Sequence, residues 1–237
     1  MRNRLLILAF AAACLPATAF ASDNAGWNGN GEFGLAIATG NVDNQTLNAR
    51  LALNHDSGGW KHAFGASFLY GKSDGEESAW RYELFGTTGR RLGDRSYVFG
   101  SLRTERDHFA GNEYRWSGSG GYGYEALSGE RTRLTFEIGP GYTLSKRQGR
   151  QDADNRGIVR GHTDFKHTFN ANTSVYDVLL IEAGSDNTFA RNDFGLQVKM
   201  TEAMSLKAGF EMRHNSVVPE GVKNTDTLTT LNMVYGF

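Results

Sequence analysis

The sequence is nearly free of cysteine, since Cys14 is the only one in 237 residues. It lies in a leader at 1–21, MRNRLLILAFAAACLPATAFA, which has a basic start, a short apolar run and a final A-x-A motif. These features are typical of a secretory signal peptide, so we predict a mature chain of 22–237. Because Cys14 leaves with the leader, disulfide and thiol chemistry are excluded from the mature chain.

Two other interpretations of the leader are weaker. A membrane anchor requires about 17 to 25 apolar residues, and the apolar run from Leu5 to Leu15 is shorter. Lipidation at Cys14 requires a bulky aliphatic residue three positions earlier, where Ala11 stands.

The mature chain also lacks an excess of basic charge. Removing Arg2 and Arg4 leaves 23 basic against 26 acidic residues, a net charge of −3, so we predict no nucleic-acid partner. Only 3 prolines, with 30 glycines and 12% aromatic residues, indicate strands joined by glycine-containing turns. Such an exported chain is either a soluble β protein or a transmembrane barrel, and the mean hydropathy of −0.46 excludes neither.

Alternation with a period of two distinguishes these classes. From Trp60 to Tyr70, aromatic and apolar side chains occupy every second position. Twelve segments alternate in this way: 31–40, 46–55, 60–70, 80–85, 96–106, 114–125, 133–144, 158–167, 174–184, 194–200, 206–213 and 225–237. The segments 96–106 and 174–184 are readable in either phase, and 158–167 has a thin apolar face.

Twelve such segments predict an all-β fold, a transmembrane antiparallel up-and-down β-barrel that forms one domain over 22–237. Connections after even-numbered segments are short, as in DSGG, whereas those after odd-numbered segments are longer and more polar, as in GKSDGEES and NSVVPEGVKNTD. Outer-membrane barrels have short periplasmic turns and longer extracellular loops. We therefore predict an outer-membrane location with both termini in the periplasm.

Aromatic and apolar residues of the predicted outer face fit a membrane. Eight aromatic residues lie towards segment ends, where girdles meet the two membrane interfaces: Trp60, Tyr70, Trp80, Tyr82, Tyr114, Trp116, Tyr142 and Tyr235. The last segment alternates Leu231, Met233, Tyr235 and Phe237. Lipid can cover these side chains, and barrel closure can pair the strand.

Two resemblances add to this interpretation. The terminal pattern of Leu231, Met233, Tyr235 and Phe237 resembles the assembly signal of Gram-negative outer-membrane barrels. Longer stretches resemble the family of salt-induced outer-membrane proteins, which has no established biochemical function: GLAIATGNVDNQTLNARLAL, RYELFGTTGRRLGDRSYVFGSLRTERDHF, GGYGYEAL, LTFEIGPGYTLS and VVPEGVKNTDTLTTLNMVYGF.

The family resemblance runs over most of the mature chain and consists of strand and turn patterns. It implies an outer-membrane barrel surrounded by lipid, with the barrel assembly machinery and periplasmic chaperones as partners during biogenesis. It also suggests a role in envelope or osmotic (salt) stress. It carries over no catalytic or binding residue, and the oligomeric state stays open.

Two short motifs suggest ligand sites that the predicted fold does not support. GSGGYG at 118–123 matches G-x-G-x-x-G, but a dinucleotide site needs a helix after the motif, and here a strand continues. We interpret its glycines as allowing barrel curvature or leaving room for bulky neighbours. DADNRG contains Asp152 and Asp154, but Arg156 takes the next ligand position of a calcium loop. We predict no cofactor and no metal site.

A third motif, RHNS, places His214, Asn215 and Ser216 near the predicted extracellular rim, and these are the residue types of outer-membrane lipases. Adjacent residues on a strand point to opposite faces, so His214 and Asn215 converge only across a bulge. We predict no catalytic residues and no enzyme, with lipid hydrolysis kept as a second alternative.

The strongest functional signal is charge on the predicted inner face. A predicted lumen network holds nine basic and five acidic residues: Arg50, Lys61, Arg81, Glu83, Arg115, Glu125, Arg133, Glu137, Arg160, Asp164, Lys199, Lys207, Glu211 and Arg213. Charges away from bulk water need partners or water. We expect ion pairs to fill the lumen, with Arg81 and Arg133 pairing with residues such as Glu83 and Glu137. The alternative is a narrow passive pore with mild anion preference.

Overall fold

The structure is a computed structural model, and it describes residues 26–38, 44–107, 112–147 and 152–237. The predicted signal peptide lies outside these ranges, as do parts of three predicted connections. The described residues include no helix that is long and apolar enough to cross a membrane.

Twelve antiparallel strands form one closed ring, which confirms the predicted fold class. Each strand pairs with its neighbours in sequence, and the first strand pairs with the last. The strands are β1 (Trp27–Ala38), β2 (Asn44–Ser57), β3 (Trp60–Ser73), β4 (Glu76–Arg91), β5 (Ser96–Asp107), β6 (Asn112–Ser128), β7 (Thr132–Arg147), β8 (Asp154–Thr168), β9 (Thr173–Gly184), β10 (Thr188–Lys199), β11 (Met204–Asn215) and β12 (Thr225–Gly236).

The seam between β1 and β12 closes the barrel. Asn30–Phe33 pairs with Met233–Gly236. The Gly29 N–H donates to the Phe237 carbonyl at 2.8 Å, and the Phe237 N–H donates to the Gly29 carbonyl at 3.0 Å. The start of β1 and the end of β12 therefore lie at the same rim, and their backbone groups are paired there rather than left as free edges.

The polarity of the barrel is inverted relative to a water-soluble protein. Leu35, Ile138 and Leu231 are 57%, 62% and 62% exposed on the outer face. Most of the buried side chains are charged or polar, and they point into the lumen. An apolar outer band around a polar interior is the arrangement that a lipid bilayer stabilises. Predicted girdle residues such as Trp60 and Trp116 belong to this exposed face.

Burial resolves the two segments whose phase the sequence leaves open. In β5, Arg103 and Glu105 are buried whereas Leu102 is exposed. In β9, Glu182 is buried whereas Ile181 is exposed. Both strands therefore bring acidic or basic side chains into the lumen.

One predicted loop is wrong. The stretch 71–78 forms a tight hairpin rather than a long loop, because β3 continues to Ser73 and β4 begins at Glu76. Asp74 and Gly75 have φ values of 50° and 89°, and Asp-Gly with positive φ at both positions favours a two-residue hairpin turn. The difference in connection length is thus smaller than predicted, and 216–224 is the longest connection that the structure fully describes.

The glycine-rich stretch 118–123 lies inside β6, and two of its glycines have steric roles. A Cβ on Gly121 would lie 2.2 Å from the carbonyl oxygen of Ile138 and 2.7 Å from the Cα of Gly139, so two backbones approach closely there. A Cβ on Gly123 would lie 2.2 Å from the ring of Tyr97. Gly123 therefore leaves room for a bulky side chain inside the lumen.

Candidate functional site

Side chains from five strands meet in the middle of the lumen, and we call this group the central cluster. It consists of Glu83 on β4, Arg103 and Glu105 on β5, Glu182 on β9, Arg191 on β10 and Arg213 on β11. Five of these six residues are at most 6% exposed, Arg191 being the more open one. Strand alternation places all of them on the inner face.

Two ion pairs of the central cluster cross the barrel axis. Glu105 on β5 pairs with Arg213 on β11, and these strands stand opposite each other in the ring of twelve. Glu83 on β4 pairs with Arg191 on β10, which is again the opposite strand. Because a direct pair between opposite walls occupies the axis, these two pairs obstruct the lumen.

Arg103 holds the acidic members of the central cluster together. Its Nη1 lies 2.7 Å from Glu105 Oε2 and 3.2 Å from Glu83 Oε2, and its Nη2 lies 2.5 Å from Glu182 Oε2. One guanidinium therefore serves three carboxylates. Buried charges are tolerated when they are paired in this way, and removing one partner leaves an uncompensated charge.

The ring of Phe189 is 2% exposed and fills the space beside the central cluster. The guanidinium carbons of Arg103, Arg115 and Arg213 lie 4.8, 5.1 and 5.1 Å from its centroid. These distances allow cation–π attraction, which strengthens when water is excluded. Phe189 thus adds an apolar element to the obstruction.

A second group of pairs lies beside the central cluster. Glu211 accepts hydrogen bonds from Arg81 Nη2 at 2.6 Å and from Arg50 Nη2 at 2.8 Å. Arg50 also pairs with Asp193, and Arg81 Nη1 lies 3.7 Å from Asp107. The partners come from five strands, and the Arg81 and Glu211 strands stand five places apart in the ring, so this group also reaches across the lumen.

Further pairs lie towards the rim that carries the barrel's ends. Lys61 pairs with Glu125 at 2.5 Å, and Arg91 Nη1 lies 3.2 Å from the same carboxylate. Lys207 Nζ donates to both oxygens of Glu32, at 2.9 and 3.0 Å.

Glu137 forms a small group of its own. It accepts hydrogen bonds from the Tyr97 hydroxyl and from Arg160 Nη1, each at 2.8 Å. His162 Nδ1 lies 3.5 Å from the same carboxylate.

The structure places most of the predicted lumen residues in these pairs: Arg50, Lys61, Arg81, Glu83, Glu125, Glu137, Arg160, Lys207, Glu211 and Arg213. Arg115 is buried, and its Nη2 donates to Asn215 Oδ1 at 3.1 Å. Asp164 lies two residues from His162 on β8, outside the ion pairs of the described residues.

Arg133 and Lys199 lie apart from the network, which corrects their predicted place in it. Both stand at strand ends, where side chains reach water. Arg133 is exposed. Lys199 Nζ donates to Glu202 in the following turn at 2.7 Å, and this hydrogen bond lowers the pKa of the Glu202 carboxyl.

The partners also differ from the expected ones. Arg81 pairs with Glu211 and Asp107 rather than with Glu83, two residues away on the same strand. Side chains at i and i+2 project in parallel, whereas side chains from other walls point towards each other. Glu83 accordingly meets Arg103 and Arg191.

Sequence reasoning missed several lumen charges. Arg103, Glu105 and Glu182 lie on the two strands whose phase is ambiguous in the sequence. A signal was present, because Arg103 and Glu105 stand two residues apart and so must share a face. Placing that charged face inward would have set the phase of β5.

The three residues of the RHNS motif have separate partners. His214 Nδ1 lies 2.9 Å from Thr225 Oγ1, and Ser216 Oγ donates to Asn187 Oδ1 at 3.3 Å. Asn215 accepts from Arg115, so serine, histidine and asparagine do not converge as a nucleophile and its base. Across the described ranges, no three His, Cys, Asp or Glu side chains are grouped as potential metal ligands.

Comparison with known proteins gives a family without a function. A family model described as "Protein of unknown function, DUF481" matches residues 31–237. "Uncharacterized protein YdiY" from Escherichia coli (strain K12) is 27% identical over 217 residues, which cover 88% of this chain and 82% of that protein.

Several solved structures align with most of the chain at low identity. A NanC porin structure has a TM-score of 0.49 and 13% identity, covering 89% of this chain and 97% of that one. The translocator domain of the autotransporter NalP from Neisseria meningitidis has a TM-score of 0.48 and 14% identity, covering 90% and 88%. A KdgM porin has a TM-score of 0.44 and 13% identity, covering 89% and 99%.

Proposed function

This chain belongs to the DUF481 family of proteins of unknown function, and from that premise we propose that it is an outer-membrane barrel whose lumen is sealed by ion pairs. It is an envelope protein that closes its own channel rather than an open porin. The apolar outer band supports a membrane location, and the filled lumen supports the seal.

The observation that carries this proposal is the pairing of opposite walls, Glu105 with Arg213 and Glu83 with Arg191. Pairs between neighbouring strands could line an open channel, but pairs between opposite strands cannot form without spanning it. Arg103 links the carboxylates of the two pairs, and Phe189 packs beside the central cluster.

A sealed ionic lumen suits a role in envelope or osmotic stress. Added salt screens exposed charges within a few ångströms, but buried pairs are screened much less. The central cluster, at most 6% exposed apart from Arg191, should therefore stay closed when external salt rises. A strain that lacks the gene should grow more slowly in high salt, and the wild-type gene should restore growth. Unchanged growth would argue against the stress role but not against the seal.

Planar-bilayer recording tests the seal directly. We expect the wild-type barrel to show no stable conductance. Replacing Glu83, Glu105, Arg191 and Arg213 together by alanine removes both crossing pairs without stranding a charge, and it should open a conducting path. The matched control is Glu32→Ala with Lys207→Ala, which removes a buried pair between β1 and β11, two places apart in the ring.

The outcomes separate the candidate functions. A conducting control or a conducting wild-type barrel would overturn the seal. A quadruple variant that inserts and folds but stays closed would show that the two crossing pairs are not what closes the lumen.

A narrow pore is the second candidate, and one cavity favours it. A space of about 240 Å³ lies beside the central cluster, lined by Arg81, Asp107, Glu211 and Asp226 among others. Polar side chains around such a space could hold water next to the obstruction. A wild-type conductance that reverses its ion preference in Arg81→Glu would establish this function instead.

Orientation and assembly belong to the same proposal. We propose that the rim holding the barrel's ends faces the periplasm and that the assembly machinery recognises Leu231, Met233, Tyr235 and Phe237. An epitope tag in 216–224 should be labelled on intact cells, whereas a tag at 58–59 should not. The reverse labelling would show that the barrel has the opposite orientation in the membrane. Phe237→Ala should slow insertion into the outer membrane, and normal levels of heat-modifiable barrel would argue against recognition of this residue.

A further inference from the structure

Two buried arginines on one wall of the lumen keep hydrogens without acceptors. Arg115 on β6 and Arg156 on β8 are 7% and 9% exposed. Within the described part of the chain, Arg115 Nη1, Arg156 Nε and Arg156 Nη1 have no hydrogen-bond partner. A buried charged donor without an acceptor is strongly unfavourable, so three of them together indicate a missing acceptor.

The two guanidiniums line a common cavity. It has a volume of about 20 Å³ and is also lined by Thr143, Ser145 and Asn187. One water-sized body needs about 10–15 Å³ of such volume. The cavity therefore has room for one small ligand beside Arg115 and Arg156.

Neighbouring carboxylates do not satisfy these donors. Glu182 lines the cavity, but its oxygens accept hydrogen bonds from Arg103 at 2.5 and 3.4 Å and from Ser117 at 3.3 Å. Asp154 Oδ2 lies 3.8 Å from Arg156 Nη2, beyond hydrogen-bond distance. Two arginines therefore share one small space with a single carboxylate, Glu182, whose oxygens are already engaged.

We propose that this cavity binds a single halide ion, held by Arg115 and Arg156. A water molecule accepts about two hydrogen bonds, fewer than the three free donors, and brings no negative charge. A halide can accept from all three free N–H groups and supplies one negative charge. The proposal concerns a bound structural ion and does not depend on whether the lumen conducts.

Bromide is the probe, because its anomalous scattering identifies it. Crystals of the mature barrel grown in sodium bromide should show an anomalous peak between the Arg115 and Arg156 guanidiniums. The peak should vanish in Arg156→Gln and persist in Arg90→Gln, whose arginine lies on the outer face over the Trp60 ring. An ordered water at the site, or bromide only at exposed arginines as an adventitious ion, would overturn the proposal.

Thermal unfolding in vesicles gives a second readout. A ligand that binds only the folded state raises the unfolding midpoint, so wild type and Arg90→Gln should unfold at a higher temperature in bromide than in gluconate of equal ionic strength. Arg156→Gln should show equal midpoints, and Arg156→Lys, usable if the glutamine variant fails to fold, should bind bromide about tenfold or more weakly. Equal wild-type midpoints in the two salts would contradict a bound halide.

Discussion

Two arginine pairs beside the same phenyl ring differ in how their charge is balanced. Arg103 and Arg213 meet carboxylates from β4, β5 and β9, whereas Arg115 and Arg156 keep unpartnered hydrogens. Glu182 lines the cavity beside Arg115 and Arg156, but it is held by Arg103. Positive charge in the lumen is therefore not balanced equally at every arginine. A carboxylate that accepts hydrogen bonds from Arg103 does not also accept them from Arg115 or Arg156.

The largest expected loss of stability comes from removing a carboxylate that pairs with Arg103 and Arg213. Glu105→Gln removes the carboxylate that Arg103 and Arg213 share. Stranding buried charges in this way should lower the free energy of unfolding by about 3–5 kcal/mol. Urea unfolding in lipid vesicles, followed by tryptophan fluorescence, measures the loss. Glu202→Gln, in an exposed turn, is the control and should leave the free energy of unfolding nearly unchanged. Equal losses of stability in the two variants would show that pairs in the central cluster stabilise the barrel no more than pairs at the surface.

A second prediction separates two arginines that the sequence treats alike. Arg81→Gln breaks a 2.6 Å hydrogen bond to Glu211 and should cost about 1.5–3 kcal/mol, as expected for a hydrogen bond between charged groups. Arg133→Gln should cost less than about 0.5 kcal/mol, because Arg133 is exposed at a strand end. The same urea titration compares them, and a large loss in Arg133→Gln would return this residue to the lumen network.

Alternation of apolar and polar residues predicts some features of this ion-pair network but not others. Period-two patterning predicts that Arg81 and Arg213 face inward, because the outer side of a barrel strand must be apolar. It cannot predict that Arg213 meets Glu105, since that depends on which strands stand opposite after closure. It also fails for β9, where both faces carry apolar residues and the buried Glu182 is the decisive charge. The number of strands, their order and the inward charges thus follow from local sequence patterns. The ion-pair partners and the unsatisfied donors depend on which strands face each other in the closed barrel.

A third prediction concerns Arg156, one of the two arginines with unsatisfied donors. Arg156→Met, measured in gluconate without halide, removes two unsatisfied donors and should change the free energy of unfolding by less than about 1 kcal/mol, because an apolar side chain of similar length leaves no stranded group. Urea unfolding in lipid vesicles measures this change. A loss as large as that of Glu105→Gln would show that Arg156 makes a strong contact beyond its 3.8 Å approach to Asp154.

The smallest expected effect lies outside the lumen, in the pair between Lys199 and Glu202. Their side chains are 37% and 98% exposed, so the pair should show only a weak coupling in a double-mutant cycle with Lys199→Gln and Glu202→Gln. At about 1 M salt the Debye length falls to about 3 Å, and this coupling should vanish. The coupling between Glu32 and Lys207, which are 8–9% exposed, should persist under the same conditions because water and ions do not reach it. Equal salt sensitivity of the two couplings would mean that bulk electrolyte reaches Glu32 and Lys207, and the ionic seal would then have to be confined to the central cluster.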